Sequence, residues 1–265
     1  MRTVQVERMR PEEFLAAKKE CSVAYLPMGP VEWHGPHMPF GTDPLNAQAI
    51  ALGAAKRLGG VVFPTLFCGT ERARTPEQVK WMGFEDEHQY VVGMDVPKNT
   101  VRSCYFPEEV FGVILREYLL QILAMDFDVV VMVNGHGADG QVAACQRLAR
   151  ELSATTSTKV LYCFGFDMAG GEKLPRGHAN ISETSMQMYV SPDCVRLDAL
   201  PPRDVTLKTC DWGIADSELF QGGRPDHDVQ NDPRDATAEL GREYIERSIA
   251  YVIASVQKAQ KERQA

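Results

Sequence analysis

A continuous β-branched run, Phe127-Asp128-Val129-Val130-Val131-Met132-Val133, constrains the fold more than any other stretch. A strand with one wet face alternates apolar and polar residues. This run does not, so it reads as a central parallel strand covered on both sides. The periodicity around it predicts helices on those sides. Over 107–125, Val110, Phe111, Ile114, Leu115, Tyr118, Leu119, Ile122 and Leu123 recur at helical spacing. A further helix is expected over 141–152 and another strand over 159–164. Upstream the same alternation holds, with a helix at 11–19, a strand at 21–28, a helix at 46–58 and a strand at 61–67. Pro44 suits the first turn of the 46–58 helix, and Gly59-Gly60 stops it. Strands alternating with helices imply an α/β fold, a three-layer α/β/α sandwich around a mostly parallel central sheet. A final helix is expected over 236–259, with a frayed tail behind it.

The 265 residues suit one domain spanning 1–265, with an irregular excursion or lid at about 70–107. Apolar content of 44% and charged content of 24% are ordinary for a globular chain. A net charge of −8 leaves no basic footprint for nucleic acid. No apolar run approaches the roughly 20 residues of a membrane helix, and the first residues lack a signal-peptide core. The seven cysteines are dispersed with no CxxC pair, which points to reduced thiols in the cytoplasm.

Chemistry concentrates in the loop after the first strand, Gly29-Pro30-Val31-Glu32-Trp33-His34-Gly35-Pro36-His37-Met38-Pro39-Phe40-Gly41-Thr42-Asp43. Carboxylates and imidazoles among glycines and prolines suit a divalent metal site. Glu32 and His34 are two apart and share a side on extended backbone. Asp43 returns to the same place from the far end of the loop. A polar surface loop is the plain alternative. A second glycine-rich turn, Asn134-Gly135-His136-Gly137, follows the central strand, where open α/β sheets place their ligands. Neither GxGxxG nor GxxxxGK[ST] occurs, so neither turn is a phosphate cradle. A third stretch carries His178 and Glu183. Glu183 lies three residues after Asn180, which also fits a helix-capping box. His88, in the excursion, reads as a surface residue or a distant ligand. Asp211-Trp212-Gly213 and the 221–225 stretch are expected at a site mouth or a subunit contact.

These stretches, with Asp232-Pro233-Arg234-Asp235-Ala236-Thr237-Ala238-Glu239-Leu240-Gly241, come in an order that resembles the creatininase (creatinine amidohydrolase) family. The resemblance implies one sheet between helices, two divalent metal ions (Zn, Mn or Fe) and a homo-oligomer, a hexamer built from dimers. It makes Glu32, His34, Asp43 and His136 metal ligands, with Asp43 bridging. Creatininases proper carry a ligand glutamate where this chain has Ala138, so Glu183 is its expected replacement. His178 matches the family's catalytic histidine, with Glu183 beside it. Trp33, His37 and Gly137 are the expected substrate contacts. Creatininases proper also carry a tryptophan and a glutamate before that histidine. Leu174 and Gly177 stand there instead, which argues against creatinine as substrate.

A two-metal site activates water for attack on a carbonyl. The first expectation is therefore an amidohydrolase acting on a small cyclic or formyl amide. The second is a carbon–carbon hydrolase that opens an oxidised (keto) inositol ring. The third, from another class, is a non-catalytic metal-bound scaffold.

Overall fold

The computed structural model describes residues 3–93, 95, 101–168, 174, 177–210, 213–215 and 231–264. Its elements in chain order are α1 (Pro11–Glu20), β1 (Val23–Gly29), α2 (Thr42–Leu58), β2 (Val61–Val62), β3 (Leu66–Phe67), α3 (Pro76–Trp81), α4 (Glu108–Leu123), β4 (Val129–Asn134), α5 (Asp139–Thr155), β5 (Lys159–Phe164), α6 (Ile181–Val190), β6 (Lys208–Cys210), β7 (Gly213–Ala215) and α7 (Ala238–Gln264).

The β-branched run does form the centre. β4 pairs in parallel with β1 on one side and β5 on the other, and the main sheet runs β2-β1-β4-β5. Val129, Val131 and Val133 pack towards α2 and α7, against Ile50, Ala54, Ile249 and Val252. Val130 and Met132 point the opposite way, into Phe111, Leu115 and Leu119 of α4 and Leu148 of α5. Both faces are therefore dry, which is why the run does not alternate. Each such fully buried aliphatic side chain contributes about 1.5–3 kcal/mol by leaving water. The expected three-layer architecture is the one observed.

The expected strand over 61–67 is two short strands. Pro64 has no N–H to give a ladder, so the chain leaves β1 after Val62 and rejoins it at Leu66. α2 starts at Thr42, earlier than expected, because first-turn residues need no N–H partner inside the helix. That shift puts Asp43 in the first turn. The tail does not fray before Gln264. Lys258 and Glu262 pair along α7 at 4.0 Å, and Arg263 reaches Asp128 at 2.9 Å.

The excursion contains a short helix, α3, capped by Thr75, whose hydroxyl accepts from the Gln78 amide. Bridges Ala73↔Val92 and Val31↔Cys104 fold it back on the loop after β1. In the 191–235 stretch β6 and β7 form an antiparallel pair. Asp211, Trp212 and residues 221–225, expected near a mouth or contact, lie outside the described residues. No helix among the described residues is long and apolar enough to cross a membrane.

Candidate metal centre

Parallel register brings the two ligand-bearing loops together. Met28 pairs with Asn134, so β1 and β4 end side by side. The first turn of α2 then packs across both strand ends. A Cβ on Gly135 would lie 2.1 Å from the Asp43 carbonyl oxygen, and one on Gly29 would lie 2.7 Å from the Asp43 Cβ. Only glycine lets Asp43 sit there. Gln187 of α6 donates to the Thr42 carbonyl and to Asn46 Oδ1, which fastens α6 to the start of α2.

Glu32, His34, Asp43, His136 and Glu183 converge in the space so formed, and all five are buried. Asp43 divides its carboxylate. Oδ1 is 3.1 Å from His34 Nε2, and Oδ2 is 2.9 Å from His136 Nδ1. Glu32 Oε2 lies 3.0 Å from His136 Nδ1, and Glu183 Oε2 lies 3.7 Å from His34 Nε2. Two groups that could each hold a cation thus share Asp43: Glu32, Asp43 and His136, and then His34, Asp43 and Glu183. A third set, Glu32, His34 and His178, overlaps them.

Local hydrogen bonds fix how each ligand is presented. His34 Nδ1 faces the Glu32 carbonyl at 3.0 Å, so that nitrogen donates and Nε2 keeps its lone pair for the cluster. Asn134 holds the His136 backbone at both ends, donating to its carbonyl at 2.6 Å and accepting from its amide at 3.2 Å. Gln141 holds Asn134 at 2.7 Å and accepts from the Thr70 amide. Asn180 caps α6 by accepting from Ser182 and Glu183 amides, while the Glu183 carboxylate accepts from the Ala179 amide. Ala179 sits at a φ of 53°, a left-handed conformation costly for alanine. That turn sets His178 and Glu183 on the same side. The capping-box reading of Glu183 fails in its detail, since its side chain passes the Asn180 amide for that of Ala179.

The donor set fits divalent cations. Three buried carboxylates face two imidazoles, and buried charge of this density persists only when paired or metal-bound. Among the described residues, His136 Nε2 is buried without a hydrogen-bond partner. Desolvation pushes the Glu183 carboxyl up to about 8. Burial works against charge on His34 as well, but the Asp43 carboxylate outweighs it and lifts the imidazole to about 10. His136 is raised in the same way by Glu32 and Asp43. Burial opposes ionisation of Glu32 and Asp43, yet the neighbouring imidazoles hold both below the usual carboxylate range. A cation competes for these same oxygens and displaces those protons.

His178 stands apart electrostatically. Burial and the His34 charge push it down to about 3. Its Nε2 is 2.5 Å from the Trp33 carbonyl and its ring lies 4.2 Å from that of His34. With Glu32, His136 and Glu183 it lines the floor of a cavity of about 400 Å³. Gly137 lines the same cavity. Trp33 and His37 do not. Both are buried beneath the site, Trp33 stacked on His178 and His37 2.9 Å from Thr184 Oγ1. Their contacts are with His178 and Thr184, behind the residues that line the cavity. His88 is exposed and remote, 3.9 Å from Glu87.

The excursion supplies groups that the spacing of ligand types did not single out. Tyr105 donates to Glu32 Oε1 at 2.6 Å. Glu71, Arg72 and Arg74 line the cavity together with Asp139 and Asp167, and Arg72 pairs with Asp139 at 3.2 Å.

Three comparisons bear on this site. The creatininase family model, described as creatinine amidohydrolase, matches residues 7–256. The mycofactocin precursor peptide peptidase of Mycobacterium ulcerans (strain Agy99) is 31% identical over 182 residues, covering 66% of this chain and 61% of that protein. The chain therefore spans about three fifths of the length of that relative. The protein of the same name from Mycobacterium tuberculosis (strain CDC 1551 / Oshkosh) is 29% identical over 229 residues, covering 82% of this chain and 77% of its own. Among solved structures, a creatinine amidohydrolase superposes with a TM-score of 0.69 at 18% identity, covering 97% of this chain and 98% of that one. A manganese creatininase gives 0.68 and a Zn-Zn variant creatininase 0.66, at 18% and 19% identity and with the same coverage. At that identity the likeness is one of fold.

Proposed function

The chain belongs to the creatininase family, and from that premise we propose that it is a metal-dependent hydrolase of a C–N amide bond in a small molecule or short peptide. The observation that carries the reading is the buried Asp43 carboxylate divided between His34 and His136, beside a cavity that Glu32, His136, His178 and Glu183 line. The relatives named as peptidases support an amide over other carbonyl substrates.

Glu32, Asp43 and His136 would hold one ion, and His34, Asp43 and Glu183 the other. Two such ions, when bound, polarise a carbonyl and make water acidic enough to attack it near neutral pH. The rest falls to the chain. The Trp33 carbonyl accepts from His178 Nε2, which fixes the tautomer and leaves the Nδ1 lone pair on the side of Glu32 and the cavity. His178 takes the proton released by the attacking water and returns it to the leaving nitrogen. Burial and its neighbours hold it neutral at the start of that cycle. Gly137 lets substrate approach the backbone beside His136.

A second reading, opening of a keto-inositol by carbon–carbon hydrolysis, is favoured by one observation. Glu71, Arg72, Arg74, Asp139, Gln146 and Asp167 give the cavity a hydrogen-bonding wall suited to a polyol. The reading also includes a cytoplasmic homo-oligomer. Exposed thiols at Cys104 and Cys194 suit a reducing compartment, and the exposed Val110, Val113 and Leu120 on α4 suit self-association.

The test is hydrolysis of a panel by the Mn-loaded protein and by a chelated control. The panel holds creatinine, a cyclic imide, a formamidopyrimidine, a short peptide and a keto-inositol. Metal-dependent release of an amine from an amide is expected, with little on creatinine. Turnover of the keto-inositol alone would replace the first reading by the second. Turnover that survives chelation would overturn both.

A further inference from the structure

Tyr105 belongs to the excursion and to none of the ligand-bearing stretches. Its hydroxyl donates to Glu32 Oε1 at 2.6 Å, the length of a charge-assisted O–H···O⁻ bond. The other oxygen, Oε2, lies 3.0 Å from His136 Nδ1. The two oxygens of one carboxylate are thereby made unequal. One is held by the tyrosine and the other is turned towards Asp43 and His136.

The tyrosine is itself held. Its ring lies 6.3 Å from that of His136. Behind it, Gly93 has a φ of 71°, and a Cβ there would fall 2.0 Å from the ring. The backbone on either side is tied down, to the loop after β1 on one side and to the turn after β3 on the other. The Cys104 amide donates to the Val31 carbonyl at 2.7 Å, and the Phe106 amide to the Gly69 carbonyl at 2.9 Å. The Trp33 amide donates to Ser103 Oγ at 2.9 Å.

We propose that Tyr105 is a positioning residue that reserves Glu32 Oε2 for the ion shared with Asp43 and His136. The excursion is then part of the metal centre and not only a wall of the cavity. This inference rests on the metal-centre reading above. Groups that orient a ligand are typically worth 10–100-fold in metal affinity.

The experiment uses Tyr105→Phe, which keeps the ring against His136 and Gly93 and removes only the hydroxyl. Wild type and variant, loaded with Mn²⁺, are equilibrated with graded chelator, and the retained metal is measured by elemental analysis. Wild type is expected to hold two ions. The variant is expected to release one of them at about 10–100-fold lower chelator, with the other unmoved and the melting of the stripped proteins alike. Glu32→Gln is expected to weaken the same ion, and the double variant to add little to it. Superimposed release curves with two ions bound would overturn the inference alone. Equal loosening of both ions with a lower melting point would also overturn it, as a general structural role. A wild type that retains no ion would overturn the metal-centre reading, and the inference with it.

Discussion

A carboxylate has two oxygens, and at Asp43 each faces a different imidazole. Asparagine keeps that shape but loses the charge and puts an N–H₂ where an acceptor was. Asp43→Asn is therefore expected to lose at least one ion, and two ions still tightly held by elemental analysis would refute the shared role. His178→Ala removes a group argued to move protons. It is expected to lower kcat by at least about 100-fold while both ions stay, and unchanged turnover would dismiss His178 from the chemistry. The ligand types were legible because Glu, His and Asp crowd among glycines and prolines in one loop. Trp33 and His37 share that loop and are buried away from the cavity lining, a placement that spacing alone does not give. Tyr105 was illegible for another reason. A lone tyrosine in an aperiodic stretch carries no signal, and its partner Glu32 becomes visible only when the chain folds back.

At the scale of elements, the site depends on how closely α2 crosses the ends of β1 and β4. Gly135→Ala places a methyl within 2.1 Å of the Asp43 carbonyl oxygen, against backbone that must move. Overpacking of this kind costs about 1–3 kcal/mol, or a fall in Tm of roughly 2–12 °C for a chain of this size. Lower metal content is expected alongside it. A melting point within a degree of wild type would show that the crossing is looser than drawn. The elements themselves were readable from pattern. The β-branched run had to be covered on both faces, and the helices around it show their stripes. Boundaries failed where local chemistry overrode pattern: at Pro64, which splits β2 from β3, at Thr42, where α2 starts early, and at the end of α7, where ion pairs hold the last turns.

On the scale of the whole molecule, the proposed ligands come from three segments that only the finished sheet brings together. Glu32, His34 and Asp43 follow β1, His136 follows β4, and Glu183 opens α6. An ion seated among them is a removable crosslink between parts of the chain that are distant in sequence. Such a crosslink forms after the sheet has paired and must break before the sheet can separate. Its effect belongs to the unfolding limb of the kinetics. Saturating Mn²⁺ is expected to slow unfolding in urea by about tenfold or more, leaving the refolding rate nearly unchanged. Faster refolding in stopped-flow would mean that the ions are captured earlier, by a partly ordered chain. On the proposed reading, chelation removes two ions that join three segments of the chain, and so is expected to shorten the life of the native protein.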